Sequence, residues 1–305
     1  MFFVNEFFPA HVRIAFPRRE KTVCGGGNGD AALRSRRRAR SVRGNMEITL
    51  LGTGTSQGVP LIGHANDGLD LSEPKNWRNR SCAHIVSDGL HIQIDAGPEF
   101  RLACLKYGVP AVDVFFLTHE HSDHILGMDD LRRYCDLRDG RAIPVWTTRG
   151  GKKRIKDVFP YAIRAVSKYG YVALAPHIAR KEFELKNGTC VRTTILPHGP
   201  HFKTLGMVFE EKSTGSRLAY YTDCSAVPPA AEQIARGCDL LVIDALHQKP
   251  HPTHLCFADA LSAAERIGAK KTIFTHMTYR VDYARDSTTL PPNVFLGYDG
   301  MRVVI

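Results

Sequence analysis

The sequence lacks any apolar run that approaches the roughly 18–20 residues needed to cross a membrane. It also lacks paired cysteines, since its eight cysteines are dispersed and none forms a Cys-x-x-Cys motif. This spacing argues against a disulfide framework and is typical of reduced thiols in a cytoplasmic protein. The first eight residues have no basic segment and are interrupted by Glu6, so they form a poor secretory signal.

A basic character spread over the whole chain is also missing, although the formal net charge is +10. Residues 1–45 hold 10 Lys and Arg against 3 Asp and Glu, whereas residues 46–305 hold 31 against 28. The excess positive charge therefore lies mainly in the N-terminal segment. It says little about what the rest of the chain binds.

Residues 1–45 are predicted to be a disordered basic extension, because an arginine-rich stretch without hydrophobic periodicity follows three consecutive glycines. Three explanations are open: a flexible arm for nucleic acid, an arginine-rich transit peptide, or upstream sequence that is not normally translated. We favour the third, since the first predicted strand begins directly after Met46. The predicted folded domain is residues 46–305.

The most informative stretch is residues 119–124, which read His-Glu-His-Ser-Asp-His. An apolar run at 112–117 precedes it and indicates a buried strand, and a helical pattern starts near Gly127. The polar side chains therefore lie on a loop that a rigid strand can aim. Imidazole nitrogens with carboxylate oxygens suit Zn²⁺, with Mn²⁺ or Fe²⁺ as alternatives. The stretch predicts a metal site.

Further His and Asp residues follow other predicted strands. The strands predicted at 190–196, 218–222, 239–243 and 271–275 lead to His198, Asp223, Asp244 and His276. Strands aligned in a sheet place their ends along one edge, so these side chains are expected to converge. Asp95, at the end of a strand predicted at 91–94, is expected to hydrogen-bond a ligand histidine.

Residues 52–60 form a glycine-rich loop that does not match the common phosphate-binding patterns. The Walker motif requires Gly-Lys-Ser/Thr, and the dinucleotide fingerprint requires a third glycine that opens a helix. We predict a tight turn whose amides and hydroxyls line a site. Farther along, residues 150–168 are predicted to be helical and residues 172–174 to form a strand.

The order of these residues resembles the metallo-β-lactamase superfamily. Residues 119–124 match its His-x-His-x-Asp-His signature, and His198, Asp223 and His276 follow in the expected order. The resemblance covers residues 46–305 and implies an α/β fold, a four-layer α/β/β/α sandwich with the site at one edge. It also implies two divalent metal ions, Zn²⁺ or Mn²⁺. By position, the ligands are His119, His121 and His198 for one ion, Asp123, His124 and His276 for the other, and Asp223 for both.

Several segments resemble the PhnP-like phosphodiesterases within that superfamily and, more distantly, tRNase Z. They are residues 51–60, 94–98, 251–254, 275–277 and 298–301. PhnP-like proteins often carry a cysteine cluster for a structural zinc after the first glycine-rich loop. Residues 62–68 contain no cysteine, so we expect no structural zinc there. This departure also puts the PhnP substrate in doubt for this chain.

The resemblance implies a metal-dependent phosphodiesterase that cleaves a small or cyclic, nucleotide-like phosphodiester with a hydroxide bridging two metals. Asp123 would orient this nucleophile while binding a metal. His251 is the first candidate for a general acid or phosphate clamp, and His254 is the second.

Two alternative functions are open. A tRNase Z-like RNA-processing nuclease would normally carry a long arm for its substrate, and residues 147–190 show no such insertion, which favours a small substrate. A non-catalytic, metal-stabilised nucleic-acid-binding protein would bind through residues 1–45, but the seven ligand-type residues argue against it. We expect a cytoplasmic protein without membrane contact, and a homodimer is compatible with the sequence.

Overall fold

The computed structural model describes residues 45–167 and 170–305. The extension predicted for residues 1–45 therefore falls almost entirely outside the described residues. The first strand begins at Glu47, directly after Met46, as predicted. Within the described ranges, no helix combines the length and the apolar character required to cross a bilayer.

The described residues form two seven-stranded sheets, and in each sheet one half is antiparallel and the other half is parallel. The strands are β1 (Glu47–Gly52), β2 (Cys82–Ser87), β3 (Leu90–Ile94), β4 (Val114–Phe116), β5 (Ile143–Thr147), β6 (Leu174–Ile178), β7 (Glu182–Glu184), β8 (Cys190–His198), β9 (Phe202–Glu210), β10 (Arg217–Tyr221), β11 (Leu240–Asp244), β12 (Lys271–Thr275), β13 (Val294–Leu296) and β14 (Arg302–Val304). The strand orders are β14-β1-β2-β3-β4-β5-β6 and β13-β12-β11-β10-β9-β8-β7. Along these orders, the first sheet has three antiparallel pairs followed by three parallel pairs, and the second sheet has three parallel pairs followed by three antiparallel pairs.

Helices cover the outer face of each sheet. They are α1 (Phe100–Tyr107), α2 (Ser122–Ile125), α3 (Arg132–Asp136), α4 (Arg149–Val158), α5 (Pro229–Ala235), α6 (Phe257–Ile267) and α7 (Tyr283–Ser287). One apolar core joins α1–α4 to the first sheet, a second joins α5 and α6 to the other sheet, and a third lies between the sheets. In β1, Ile48 and Leu50 enter the core between the sheets and Leu51 enters the helix-facing core, as the two-residue period of a strand requires. These layers confirm the predicted sandwich.

Two predicted boundaries are wrong. The helix predicted over residues 150–168 ends at Val158, because Pro160 disfavours a helical conformation at Phe159, whose φ is −123° and ψ is 55°. The strand predicted at 172–174 lies at Leu174–Ile178 instead. This strand is the edge of its sheet, where Pro176 does not interrupt a ladder between two neighbours.

The strand directions bring the predicted site residues to one side of the sandwich. Since β8 and β10 are each antiparallel to β9, they run the same way, and β11 and β12 are parallel to β10. Their carboxyl ends therefore lie along one edge of the second sheet. In the first sheet, β3 and β4 are parallel and lead to Asp95 and His119.

Glycine at two positions allows the loop after β3 to pack against the loop after β4. A Cβ atom at Gly97 would lie 2.5 Å from the carbonyl oxygen of Asp123, and one at Gly127 would lie 2.1 Å from that of Gly97. Any larger residue would push these loops apart. The two glycines thus hold Asp95 close to residues 119–124.

Candidate metal centre

Residues 119–124 leave the buried strand β4 and enter the short helix α2. His119 is fully buried just beyond the strand, and His121 directly precedes the helix. Asp123 and His124 lie within α2 and are also buried. The change from strand to helix turns the four side chains toward the second sheet.

The structure brings His119, His121 and His198 together as a first group of ligand-type side chains. His121 Nδ1 lies 2.9 Å from His119 Nε2 and 3.3 Å from His198 Nε2. Three ring nitrogens therefore lie within hydrogen-bond distance around His121 Nδ1. Neutral imidazoles cannot form all of these hydrogen bonds, because each ring has only one N–H donor. A cation between them would satisfy all three.

The second group contains Asp123, His124, Asp223 and His276, all buried. His124 Nε2 lies 3.0 Å from Asp123 Oδ2, and His276 Nε2 lies 3.0 Å from Asp223 Oδ1. Both histidine nitrogens nevertheless have no hydrogen-bond partner, because their directions do not meet hydrogen-bond geometry. The nitrogens and oxygens point toward shared positions and not at each other.

Asp223 lies between the two groups. Its Oδ1 is 3.5 Å from His124 Nε2 in the second group and 3.9 Å from His119 Nε2 in the first. The two groups thus form one strand-end cluster, a name we keep for all seven residues predicted to bind metal: His119, His121, Asp123, His124, His198, Asp223 and His276.

The backbone at three strand ends is left-handed. Asp95, Asp223 and His276 have φ values of 57°, 51° and 61°, an uncommon conformation for residues other than glycine. Such a residue reverses the chain direction sharply after each strand, so its side chain stays at the sheet edge. Strained backbone of this kind concentrates at functional sites.

Hydrogen bonds behind the cluster fix the orientation of its histidines. The ring of His124 donates from Nδ1 to Asp95 Oδ2 at 2.7 Å, as predicted for Asp95, which leaves Nε2 to face the cluster. Thr118 fixes the carboxylate in turn, donating from its backbone N and from Oγ1. His198 donates from Nδ1 to the carbonyl oxygen of Thr253 at 3.0 Å. No sequence pattern indicated the roles of Thr118 and Thr253.

The protonation equilibria of the cluster also suit cation binding. Burial and the neighbouring His124 lower the pKa of His119 well below its ordinary value, so this imidazole is neutral, as a metal ligand must be. Burial raises the pKa of Asp223, but His276 and His124 outweigh it and hold that pKa well below its usual range. Burial lowers the pKa of His124, but Asp223 and other carboxylates raise it well above normal. A bound cation would replace the proton that they hold there.

His254 and His251 occupy different positions relative to the cluster. His254 donates from Nδ1 to Asp244 Oδ2 at 2.8 Å, and its ring stacks on His276 with centroids 4.6 Å apart. Burial lowers its pKa, but Asp244 outweighs this effect and raises the pKa to about 9. His251 is exposed, and its ring centroid lies 5.5 Å from that of His254. His254, the second sequence candidate, is therefore the one that reaches the cluster.

A cleft opens onto the strand-end cluster between two walls. On one side, Ser56 of the glycine-rich loop and Arg80 line a space of about 360 Å³ together with His121 and Asp123. On the other side, Phe202 and Arg154 line a space of about 280 Å³ beside His121. The glycine-rich loop thus lines the site, as predicted. The contributions of Arg80 and Phe202 to the walls of the cleft were not predicted from the sequence.

The side chains of both groups have the chemistry and the spacing that a divalent cation requires. They supply neutral imidazole nitrogens and carboxylate oxygens, and within each group the ligand atoms lie within 4.8 Å of one another. Buried nitrogens without hydrogen-bond partners are costly unless a bound group satisfies them. The donor set of nitrogen and oxygen suits Zn²⁺ or Mn²⁺.

Comparison with known proteins agrees with this arrangement. The Beta-lactamase superfamily domain matches residues 91–277, which include the entire strand-end cluster. The chain belongs to the metallo-β-lactamase superfamily. The crystal structure of a new diphosphatase from the PhnP family is 31% identical to this chain and has a TM-score of 0.75. That match covers 86% of this chain and 98% of the other, so the protein belongs to the PhnP family as well.

Two curated relatives are similar to this chain, and the match covers different shares of their lengths. A ribonuclease Z from Haloarcula marismortui is 26% identical over an alignment of 300 residues. The match covers 77% of this chain and 94% of the relative. An octanoyltransferase from Porphyromonas gingivalis is 29% identical over 265 residues. The match covers 85% of this chain but only 52% of that relative, so the chain spans about half its length. The family membership makes this protein a metallo-β-lactamase-fold hydrolase.

Proposed function

We propose that this protein is a binuclear metal-dependent phosphodiesterase that cleaves small or cyclic, nucleotide-like phosphodiesters. The observation that carries the proposal is the convergence of the strand-end cluster into two donor groups that share Asp223. The relatives named as a diphosphatase and as ribonuclease Z support chemistry at phosphorus.

The two groups divide the ligands between two cations. His119, His121 and His198 would hold one cation, Asp123, His124 and His276 the other, and Asp223 would contact both. When bound, such a pair supplies a water of lowered pKa and neutralises charge on phosphoryl oxygens. Zn²⁺ or Mn²⁺ would serve, because both accept imidazole and carboxylate ligands.

His254 is the residue that we propose to protonate the leaving oxygen. Its Nδ1 is held by Asp244, which leaves Nε2 for a group bound at the cluster. A leaving alkoxide needs a proton, and a positioned imidazole provides it efficiently. Asp123, which belongs to the second group, would orient the attacking water. His251, which lies farther out, would act as a clamp on the phosphate.

A ribonuclease acting on RNA ends is the second candidate, favoured by the extended match to ribonuclease Z. Between Thr147 and Cys190, the described residues form α4, a 3-10 turn and the short strands β6 and β7. These elements pack on the sheets and do not project as an arm that could grip a large RNA. The small substrate therefore remains our first proposal.

A substrate panel tests the proposal. Purified protein loaded with Zn²⁺ or with Mn²⁺ is assayed against bis-p-nitrophenyl phosphate, a nucleoside 2′,3′-cyclic phosphate, a thioester and a precursor tRNA. We expect hydrolysis of the first two at rates at least a hundredfold above that of the thioester. Cleavage of precursor tRNA alone would favour the ribonuclease, and cleavage of the thioester alone would overturn phosphodiester chemistry.

A further inference from the structure

A larger cavity of about 730 Å³ lies beside the cleft at the strand-end cluster. Glu120 lies between His119 and His121 in sequence and lines both spaces. The cavity thus begins one residue away from two proposed metal ligands. Its volume lies within the range of sites that hold small molecules.

Three basic side chains from separate elements line this cavity. Arg149 opens α4, Lys181 lies just before β7, and Lys203 lies on β9. Within residues 45–167 and 170–305, none of the three belongs to an ion pair. Arg192, also in the lining, is already matched by Glu182 and Glu210. The cavity therefore carries three basic side chains outside ion pairs against the one carboxylate of Glu120, an excess of positive charge that can meet an anion.

The positive end of the α4 dipole does not add to this positive charge, because a carboxylate already lies beside it. The carboxylate of Glu120 lies so close to Gly150, in the first turn of the helix, that a Cβ atom there would be 2.4 Å from Glu120 Oε1. A carboxylate at this position matches the positive end of the helix dipole. A ligand anion would consequently be bound by the basic side chains and not by the helix.

The cavity also has an apolar surface beside its basic side chains. Ile178 and Ile195, both lining residues, remain 42% and 46% exposed, and Leu205 is buried behind them. Exposed branched side chains in a concave site favour contact with a flat, weakly polar group. A nucleoside combines such a group with positions that carry phosphate.

We infer that this cavity binds the second phosphate and the nucleoside of a substrate whose scissile phosphodiester lies at the strand-end cluster. The substrate class is thus a nucleotide with one phosphodiester and one additional phosphate. This inference rests on the proposed function and deepens it, because Lys181 and Lys203 would select among phosphodiesters without taking part in the chemistry.

A matched pair of chromogenic substrates tests the inference. Thymidine 5′-(p-nitrophenyl phosphate) is compared with the same compound carrying a 3′-phosphate, since both release the same leaving group. We expect the native protein to have about tenfold higher kcat/KM for the 3′-phosphorylated compound, mainly through a lower KM, because the contacts are made in ground and transition states alike. The K181E/K203E variant should lose this preference, while its rate on bis-p-nitrophenyl phosphate stays within twofold of native.

Lys212→Glu is the control for charge reversal at the surface, since Lys212 is an exposed lysine just beyond the end of β9. It reverses one lysine charge, against two in the double variant. It should keep the tenfold preference. Equal rates of the native protein on both thymidine compounds, or an unchanged preference in K181E/K203E, would overturn the inference while bis-p-nitrophenyl phosphate cleavage upholds the proposed function.

A binding measurement separates the two proposals if none of these esters is hydrolysed. Calorimetric titration with adenosine 3′,5′-bisphosphate should show binding to the native protein and at least tenfold weaker binding to K181E/K203E. That result would retain the cavity as a nucleotide site although the phosphodiesterase proposal had failed. Equal affinities, or absence of binding to the native protein, would reject the cavity.

Discussion

Two carboxylates of this protein, the partly buried Asp299 and the buried Asp223, have opposite surroundings. Asp299 accepts hydrogen bonds at both oxygens, from the backbone N and Oγ1 of Thr53 at 2.9 Å and from the backbone N of Asn79 at 2.7 Å. Asp223 lies among imidazole nitrogens of which two, on His124 and His276, have no hydrogen-bond partner. The protein completes the first network by itself and leaves the second to be completed by a ligand.

The charges of the two carboxylates differ for the same reason. Burial raises the pKa of Asp299 to about 7, although its hydrogen bonds from Asn79 and Thr53 oppose that rise. Burial also raises the pKa of Asp223, but there His276 and His124 reverse the effect. One carboxylate thus anchors the glycine-rich loop, and the other is a negative charge beside imidazole nitrogens without partners, as the proposed cation site requires.

Replacing each carboxylate by its amide gives the largest expected contrast. Asp223→Asn should lower kcat/KM for bis-p-nitrophenyl phosphate on the order of 10³-fold, because charge neutralisation in the transition state depends on both cations. It should also reduce the bound metal, measured by mass spectrometry of the purified protein. Asp299→Asn should keep the native metal content. Equal metal loss in both variants would show that the contrast is wrong.

A second test asks whether His254 belongs with the strand-end cluster. His254→Ala should lower kcat roughly 10²- to 10³-fold, the usual contribution of a positioned general acid, without loss of metal. His251→Ala should lower kcat less than tenfold, since that ring is exposed and lies farther out. Steady-state kinetics with an alkyl leaving group measures both variants. A larger loss in His251→Ala would restore it as the proton donor.

The smallest expected effect concerns stability and pH. Because the pKa of Asp299 is raised from 3.8 to about 7 on folding, the folded state holds this proton more tightly than the unfolded state. Its contribution is full below pH 3.8 and is lost as the pH rises through 7. Between pH 5 and pH 8 the native protein should lose about 2–3 kcal/mol of unfolding free energy relative to Asp299→Asn. Urea unfolding of both proteins at these pH values measures the difference, and parallel curves would contradict it.

The sequence allowed much of the fold and the site to be predicted, because both depend on local patterns. Apolar runs followed by His or Asp mark the ends of β8, β10, β11 and β12, and strands in one sheet share an edge. The convergence of those residues follows from topology alone. Their role as metal ligands stays a prediction that agrees with the geometry described above.

The parts of the site that depend on contacts between loops far apart in the sequence could not be predicted. The carbonyl oxygen of Thr253 fixes His198 from a distant loop, and Arg80 reaches the cleft from the segment before β2. Neither residue carries a local pattern that distinguishes it from ordinary surface residues. The sequence also ranked His251 before His254, since only the position of Asp244 in the folded chain reveals that the ring of His254 is the one that is held.

The left-handed backbone at Asp223 restricts which ligand chemistry this turn can offer. A thiolate binds Zn²⁺ well, so a cysteine at this position would be acceptable to the metal. The positive φ of 51° would disfavour a cysteine, because this conformation favours the short polar residues Asp and Asn over other side chains. The backbone conformation therefore narrows position 223 to a side chain that ends in oxygen, a choice that the proposed cation alone would not impose.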